Sequence, residues 1–231
     1  MKRSTISAGR IEMTFGPEPL AVRRLRNTIT GAAACLNGAQ SLLVRMPSDV
    51  SEPIFLNRIR SAEAFSKGIR ISLADETNAV RGEVVIGPSA NGIRFQVKVT
   101  APRPIWMVEW QLSGLRLKQL IVPALGGQLV DASMPPGTTL SYKYPFWWNA
   151  QFVVGSMGQG GIWLRAMNPS PHFSMLRIAR TNGTFALTYG FEAEGPLRST
   201  RLEGEFYLDG YQGGWKAPAE IHRRCRCPSG Y

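Results

Sequence analysis

Residues 84–99 read VVIGPSANGIRFQVKV, and this stretch decides the fold class. Apolar side chains occupy every second position on both sides of a turn, while Arg94, Gln96 and Lys98 fill the positions between them. This period of two predicts a β-hairpin with one face toward a core and the other toward water. Asn91-Gly92 supplies the positive backbone angles of a reversal, in a loop that we expect to be longer than two residues.

The same alternation recurs along the chain, at residues 11–15, 69–73, 175–191 and 202–208. Helix signals are few. Residues 215–224 predict one or two helical turns, with Pro218 near the start and a basic end. Residues 54–65 have mixed spacing and receive no assignment.

We therefore predict an all-β protein, a large antiparallel β-sandwich with a short C-terminal helix. Residues 1–214 are expected to form the sandwich, and residues 215–231 the helix and a connector.

The composition excludes several classes of protein. The chain has 231 residues, of which 44% are hydrophobic and 19% charged, so it can bury a sizeable core and is not disordered. Three Cys residues cannot form a disulfide framework. No apolar stretch approaches the roughly 18 residues of a membrane span. The basic N-terminus lacks the apolar segment of a signal peptide, so the expected location is the cytoplasm by default.

The charge balance is strongly basic, with 27 Lys and Arg against 16 Asp and Glu and a net charge of +11. Such an excess raises the expectation of an anionic partner. However, 21 of these 27 residues are Arg, and they are scattered singly except in the short clusters at residues 23–26 and 223–226. We therefore expect no nucleic-acid partner, and a polyanion-binding role remains only as an alternative.

Aromatic residues are densest in the segment YKYPFWW, residues 142–148. Such rings either stack on sugars and bases or fill a core or a domain interface. The candidate residues for carbohydrate binding or for a domain interface are Tyr142, Tyr144, Phe146, Trp147, Trp148 and Trp215.

No catalytic or metal site emerges from the residues alone. The glycine-rich stretch at residues 155–161 lacks the Lys-Ser/Thr end of a phosphate-binding loop and is interpreted as a hairpin loop. His172 and His222, with Cys225 and Cys227, do not assemble a zinc site. No cofactor is expected. The candidate carboxylates have no distinguishing context; they are Glu109, Asp131, Glu192, Glu194, Glu203, Glu205 and Asp209.

Several segments, taken in order, resemble the N-terminal super-sandwich (galactose-mutarotase-like) domain of bacterial glycoside hydrolase-like proteins related to endo-α-N-acetylgalactosaminidases. The opening strand pair at residues 11–15 and 20–27 is followed by Thr30-Gly31, and residues 121–127 lead to a central loop. Residues 144–169 continue the likeness, with Asn168 where the family commonly has Asp. Residues 209–223 resemble the helix that joins this domain to a catalytic (β/α)₈ barrel. Cys225 stands where the family usually has Trp.

The resemblance implies a non-catalytic, carbohydrate-associated domain that supports a barrel or binds glycan, because the family's acid and nucleophile lie on barrel strands that this sequence lacks. The expected partner is a glycan or a catalytic barrel, and no activity of this chain alone is expected. An alternative from the same class of sandwich is an aldose epimerase (mutarotase-like), with His172 as its acid.

Overall fold

The computed structural model describes residues 4–166, 173–181, 183–195 and 198–226, with the side chains of residues 50, 225 and 226 left out. Over these residues the chain forms two antiparallel β-sheets and one α-helix, as predicted. The first sheet contains β1 (Thr5–Ala8), β2 (Ile11–Phe15), β3 (Ala21–Asn27), β4 (Ala33–Met46), β5 (Asp49–Phe55), β10 (Met107–Leu115), β13 (Thr139–Tyr144), β16 (Ser174–Thr181) and β17 (Thr184–Glu192). The second contains β6 (Arg58–Phe65), β7 (Gly68–Ala74), β8 (Arg81–Ser89), β9 (Gly92–Thr100), β11 (Gln119–Val122), β12 (Gln128–Asp131), β14 (Phe152–Ser156), β15 (Gly160–Arg165) and β18 (Arg201–Gln212).

The order of strands shows which segments meet. The first sheet runs β1-β2-β3-β4-β10-β17-β16-β13, and β5 pairs with the end of β4. The second runs β12-β11-β14-β15-β18-β9-β8-β7-β6. Every strand pairing is antiparallel, and the core lies between the two sheets, where alternate residues of each strand point inward.

Aromatic rings dominate this core. Phe95 of β9 and Phe206 of β18 stack with ring centroids 4.7 Å apart, and Trp110 of β10 packs 6.2 Å from Phe95. Large rings bury much apolar area per residue, so the contact between the sheets is apolar over their centres.

The hairpin that decided the fold is present, but its loop is shorter than expected. The β8–β9 ladder continues to the pair of Ser89 and Gly92, which leaves only Ala90 and Asn91 in the loop. Gly92 follows it with φ of 102°, a conformation that favours glycine. The prediction of a longer loop was wrong because Pro88 still pairs with Ile93 within the ladder.

Other predictions fare differently. The glycine-rich stretch is the β14–β15 hairpin, as interpreted from the sequence. The terminal helix, α1 (Lys216–Arg226), has 11 residues, longer than the one or two turns predicted. Residues 54–65 fall on the end of β5 and on β6. Nearly every described residue of β6 is exposed on both faces, which explains the lack of alternation there.

A single side chain ties the two sheets together at one end. Asn27 of β3 is fully buried, and its amide nitrogen donates to the carbonyl oxygens of Gly161 and Tyr211 at 2.7 Å each. Its amide oxygen accepts from the backbone N–H of Ile29 and Thr30. This residue, seen in the sequence as part of the opening turn, therefore connects β3 to β15 and β18 across the sandwich.

Among the described residues, no helix has the length and apolar character needed to cross a membrane.

Candidate functional site

The structure divides the predicted aromatic residues into buried and exposed groups. Tyr142 and Trp148 are buried, 4% and 0% exposed, and Tyr144 packs partly buried against the same core. The Tyr142 hydroxyl donates to Gln128 Oε1 at 2.6 Å, and Trp148 Nε1 donates to the carbonyl oxygen of Phe152 at 3.0 Å. Desolvation raises the pKa of Tyr142. These side chains pack in the core, so of the predicted residues only Phe146, Trp147 and Trp215 are exposed enough to contact a ligand or partner.

Phe146 and Trp147 are exposed, at 62% and 59%. They lie in a turn after β13, where the backbone N–H groups of Trp147 and Trp148 both donate to the carbonyl oxygen of Lys143. A period of two would bury Phe146 together with Tyr142 and Trp148, but this turn breaks the period and leaves Phe146 exposed. Large apolar side chains this exposed are candidates for a binding surface.

Phe146 has an aromatic partner in the residue that precedes β16. Its ring stacks on that of Phe173, with centroids 5.8 Å apart and planes 3° from parallel. Lys143 Nζ lies 5.9 Å from the Phe146 ring centroid and 5.1 Å from that of Phe173, within cation–π range. The pair thus presents two aromatic faces next to a positive charge.

A cleft of about 360 Å³ lies between the loop after β11 and the start of the helix. Trp215, 47% exposed, forms one wall, and the loop at Gly126-Gly127 forms another. Leu125, 64% exposed, precedes these glycines, and its backbone N–H donates to the carbonyl oxygen of Trp147 at 3.2 Å. The loop therefore connects the exposed Trp147 to the cleft. We name the whole surface the aromatic edge; it consists of Leu125, Phe146, Trp147, Phe173 and Trp215.

A second cluster lies on the outer face of the first sheet, away from the core. Glu109 of β10 is fully buried there between two arginines. Arg45 Nε, from β4, lies 2.7 Å from Glu109 Oε2, and Arg177 Nη1, from β16, lies 2.6 Å from Oε1. The neighbours of Glu109 on its strand, Val108 and Trp110, point into the core, so strand alternation directs the carboxylate outward.

The cluster extends along the same face to the aromatic edge. Lys143 Nζ lies 3.1 Å from Glu192 Oε1, and Glu192 is 7% exposed. Between this pair and Glu109 lies Gly190, where an added Cβ would come within 3.1 Å of both Glu109 Cγ and Met107 Sδ. The absence of a side chain at Gly190 leaves room for the Glu109 side chain. We name Arg45, Glu109, Lys143, Arg177 and Glu192 the ionic cluster.

Sequence reasoning included Glu109 and Glu192 among seven candidate carboxylates but gave neither a distinguishing context. That judgement was wrong for both, because they are buried and paired with cations. The missing information is non-local, since Arg45 and Arg177 lie on strands 64 and 68 residues away in the sequence. A Glu between Val108 and Trp110 was the only local signal.

The geometry of the ionic cluster suits binding better than proton transfer. Each carboxylate oxygen of Glu109 faces a guanidinium group, so neither is open to accept a proton from a substrate.

Burial raises the pKa of the Cys35 thiol to about 11, so this side chain is rarely a thiolate at neutral pH. His172, the acid of the epimerase alternative, lies outside the described residues.

Within the described part of the chain, no three His, Cys, Asp or Glu side chains are grouped closely enough to hold a metal ion.

Comparison with solved structures shows the fold. A galactose mutarotase related enzyme from Lactobacillus acidophilus aligns with a TM-score of 0.58 at 10% identity, over 92% of this chain and 98% of that chain. A galactose mutarotase-like protein from Lactobacillus casei aligns with a TM-score of 0.54 at 8% identity, over 90% and 100%. The chain thus has the galactose mutarotase-like sandwich fold, which confirms the predicted architecture.

Glycoside hydrolases contain the same fold as one part of a longer chain. An alpha-N-acetylgalactosaminidase from Bifidobacterium bifidum, in complex with GalNAc, aligns with a TM-score of 0.63 at 14% identity. The alignment covers 95% of this chain and 38% of that one. No family model matches the sequence. No curated protein matches it either.

Proposed function

We propose that this chain is a non-catalytic, carbohydrate-associated sandwich domain of a glycoside hydrolase-like protein. It binds glycan or supports a (β/α)₈ catalytic barrel through the aromatic edge. The observations that carry the proposal are the exposure of Phe146 and Trp147, and the exposure of Trp215 in a cleft whose loop is hydrogen-bonded to Trp147 through Leu125. Exposed aromatic faces stack on sugar rings, and they also form the centres of domain interfaces.

The relation to endo-α-N-acetylgalactosaminidases belongs to this proposal. It is supported by the order of the sequence segments and by the fold shared with the B. bifidum enzyme. The absence of nucleic acid among the partners stays a prediction.

A glycan array followed by calorimetry with neutral oligosaccharides tests glycan binding. Trp147→Ala and Trp215→Ala should each weaken binding about tenfold or more, since base or sugar stacking on one ring is worth roughly 1–3 kcal/mol. Phe65→Ala is the matched control, because Phe65 is an exposed aromatic residue, 47%, on the distant strand β6. Equal losses in all three variants, or turnover of aryl glycosides by the purified chain, would contradict the proposal.

Aldose epimerisation is the second candidate function. It is favoured by the alignment with mutarotase-like structures over 98–100% of their length, compared with 38% for the hydrolase. Polarimetry of freshly dissolved α-D-galactose tests it. Faster mutarotation that His172→Ala abolishes would establish this function and overturn the non-catalytic one.

A further inference from the structure

The ionic cluster carries more positive than negative charge. Three cations, Arg45, Lys143 and Arg177, share the outer face with two carboxylates. The register places Glu109, Gly190, Met175 and Lys143 in one row across four neighbouring strands. The five named groups therefore carry a formal net charge of +1.

Buried charges in such an arrangement contribute little to the stability of a fold. Burial of an ion pair costs desolvation energy that the attraction between the charges often fails to recover. The pKa of Arg177 reflects this cost. It is lowered mainly by desolvation and in part by the nearby charge of Arg45, and Glu109 opposes this shift. An additional anion beside Arg177 would offset the repulsion from Arg45 and compensate part of the desolvation.

The next row of the same face offers neutral hydrogen-bonding groups. Ser41, Gln111, Thr188 and Ser141 lie beside Arg177 in register across five strands. Gln111 Nε2 donates to Thr188 Oγ1 at 3.1 Å. Hydroxyl and amide groups at this spacing are suitable partners for the hydroxyls of a sugar.

We propose that the ionic cluster binds the anionic group of an acidic sugar, a carboxylate or a phosphate. Arg177 and Lys143 contact that group, and the sugar ring lies against the stacked Phe146 and Phe173. This inference rests on the proposed function and specifies the class of glycan.

Two features connect the ionic cluster to the stacked rings of Phe146 and Phe173. Lys143 contacts both the Phe146–Phe173 pair and Glu192, so it lies at the junction of the aromatic edge and the ionic cluster. Arg177 carries a planar guanidinium that can form paired hydrogen bonds with a carboxylate or phosphate. Its side chain is 21% exposed and that of Lys143 is 34% exposed, so both can be reached from solvent.

The experiment compares four probes by isothermal titration calorimetry with the full chain: methyl glucuronide, glucose 6-phosphate, methyl glucoside and inorganic phosphate. At least one anionic sugar should bind about tenfold tighter than both methyl glucoside and inorganic phosphate, because a charge-assisted hydrogen bond contributes roughly 1.5–3 kcal/mol. The first two probes distinguish a carboxylate ligand from a phosphate ligand.

Variants locate the site. Arg177→Gln and Lys143→Gln should each reduce the affinity of the anionic sugar to that of methyl glucoside. Arg70→Gln is the control, because Arg70 forms an exposed pair with Glu83 on the second sheet and should leave affinity unchanged. Thermal unfolding checks that each variant is folded, and Lys143→Gln decides the question if Arg177→Gln does not fold.

Two results overturn this inference and leave the proposed function standing. The first is equal affinity for methyl glucoside and both anionic sugars. The second is unchanged affinity for the anionic sugar in the folded variants. Binding of inorganic phosphate as tightly as glucose 6-phosphate overturns the role of the sugar ring. If none of the three sugars binds, this inference is overturned too, and the glycan array decides whether the chain binds any glycan.

Discussion

The outer faces of the two sheets are buried in opposite ways. On the second sheet, Phe152, Val154, Trp163 and Tyr211 form an apolar cluster that α1 covers through Ala219 and Ile221. On the first sheet, the two carboxylates of the ionic cluster are buried, and cations of the same cluster pair with them. The apolar cluster stabilises the fold by removing apolar area from water, whereas the ionic cluster stores unfavourable desolvation. The contrast shows that apolar contacts with α1 cover the apolar cluster on one face, whereas the charged groups of the other face are partly open to solvent.

The largest loss of stability is expected from a substitution in the apolar cluster. Trp163→Ala should destabilise the protein by about 3–5 kcal/mol, because a buried indole is lost and a cavity remains under α1. Urea unfolding measures the loss. Trp215→Ala is the control, since Trp215 is 47% exposed, and should cost far less. Similar losses for both would mean that α1 does not seal this face.

The next largest loss of stability is expected when the ionic cluster loses Glu109. Glu109→Ala should cost about 3 kcal/mol or more, because it leaves two partly buried guanidinium groups without their carboxylate. Glu83→Ala, at an exposed pair with Arg70, is the control and should cost no more than about 1 kcal/mol.

A triple variant sharpens the same comparison. Arg45→Met, Glu109→Leu and Arg177→Met together replace the charges by apolar groups of similar size. If the cluster serves binding rather than stability, this variant should be at least as stable as the native chain. A strong loss of stability in the triple variant would show that the ionic cluster is structural after all.

The connection between the two sheets has an intermediate effect. Asn27→Ala removes two donors to buried carbonyl oxygens and two acceptor contacts, so a loss of about 2–3 kcal/mol is expected. Asn27→Asp should be at least as damaging, because it replaces the donor by an anion facing two carbonyl groups. Equal stability of the native chain and Asn27→Ala in chemical denaturation would refute the connecting role.

The smallest effect concerns Asp209, beside the apolar cluster. Desolvation raises its pKa, although hydrogen bonds from the Arg10 and Gly210 amides oppose this shift. Between the unfolded and the raised folded pKa the folded state binds more protons, so stability falls as pH rises through that window. Asp209→Asn should therefore be slightly stabilising near pH 7 and neutral at a pH below the pKa of the unfolded group. Melting temperatures measured across this range check it, and a penalty that grows with pH would contradict it.

The sequence was informative wherever one face of a strand meets the core and the other meets water. The β8–β9 and β16–β17 hairpins follow from such alternation. On β6, with exposed residues on both faces, the signal is absent. The exposure of Phe146 also escapes the sequence, because a period of two would bury it with Tyr142 and Trp148, and the turn after β13 breaks that period. The ionic cluster requires β4, β10 and β16 to meet in one sheet, which no local pattern encodes.

The bonds of Asn27 have a kinetic consequence. They join Asn27 to Gly161 and Tyr211, which lie 134 and 184 positions later in the chain, so each bond closes a long loop. Because the entropy of loop closure is lost before a distant contact stabilises the chain, we expect these bonds to form after the rate-limiting barrier. Truncation of this amide should therefore accelerate unfolding while leaving the refolding rate nearly unchanged. On this expectation, the hydrogen bonds of Asn27 lengthen the lifetime of the native state.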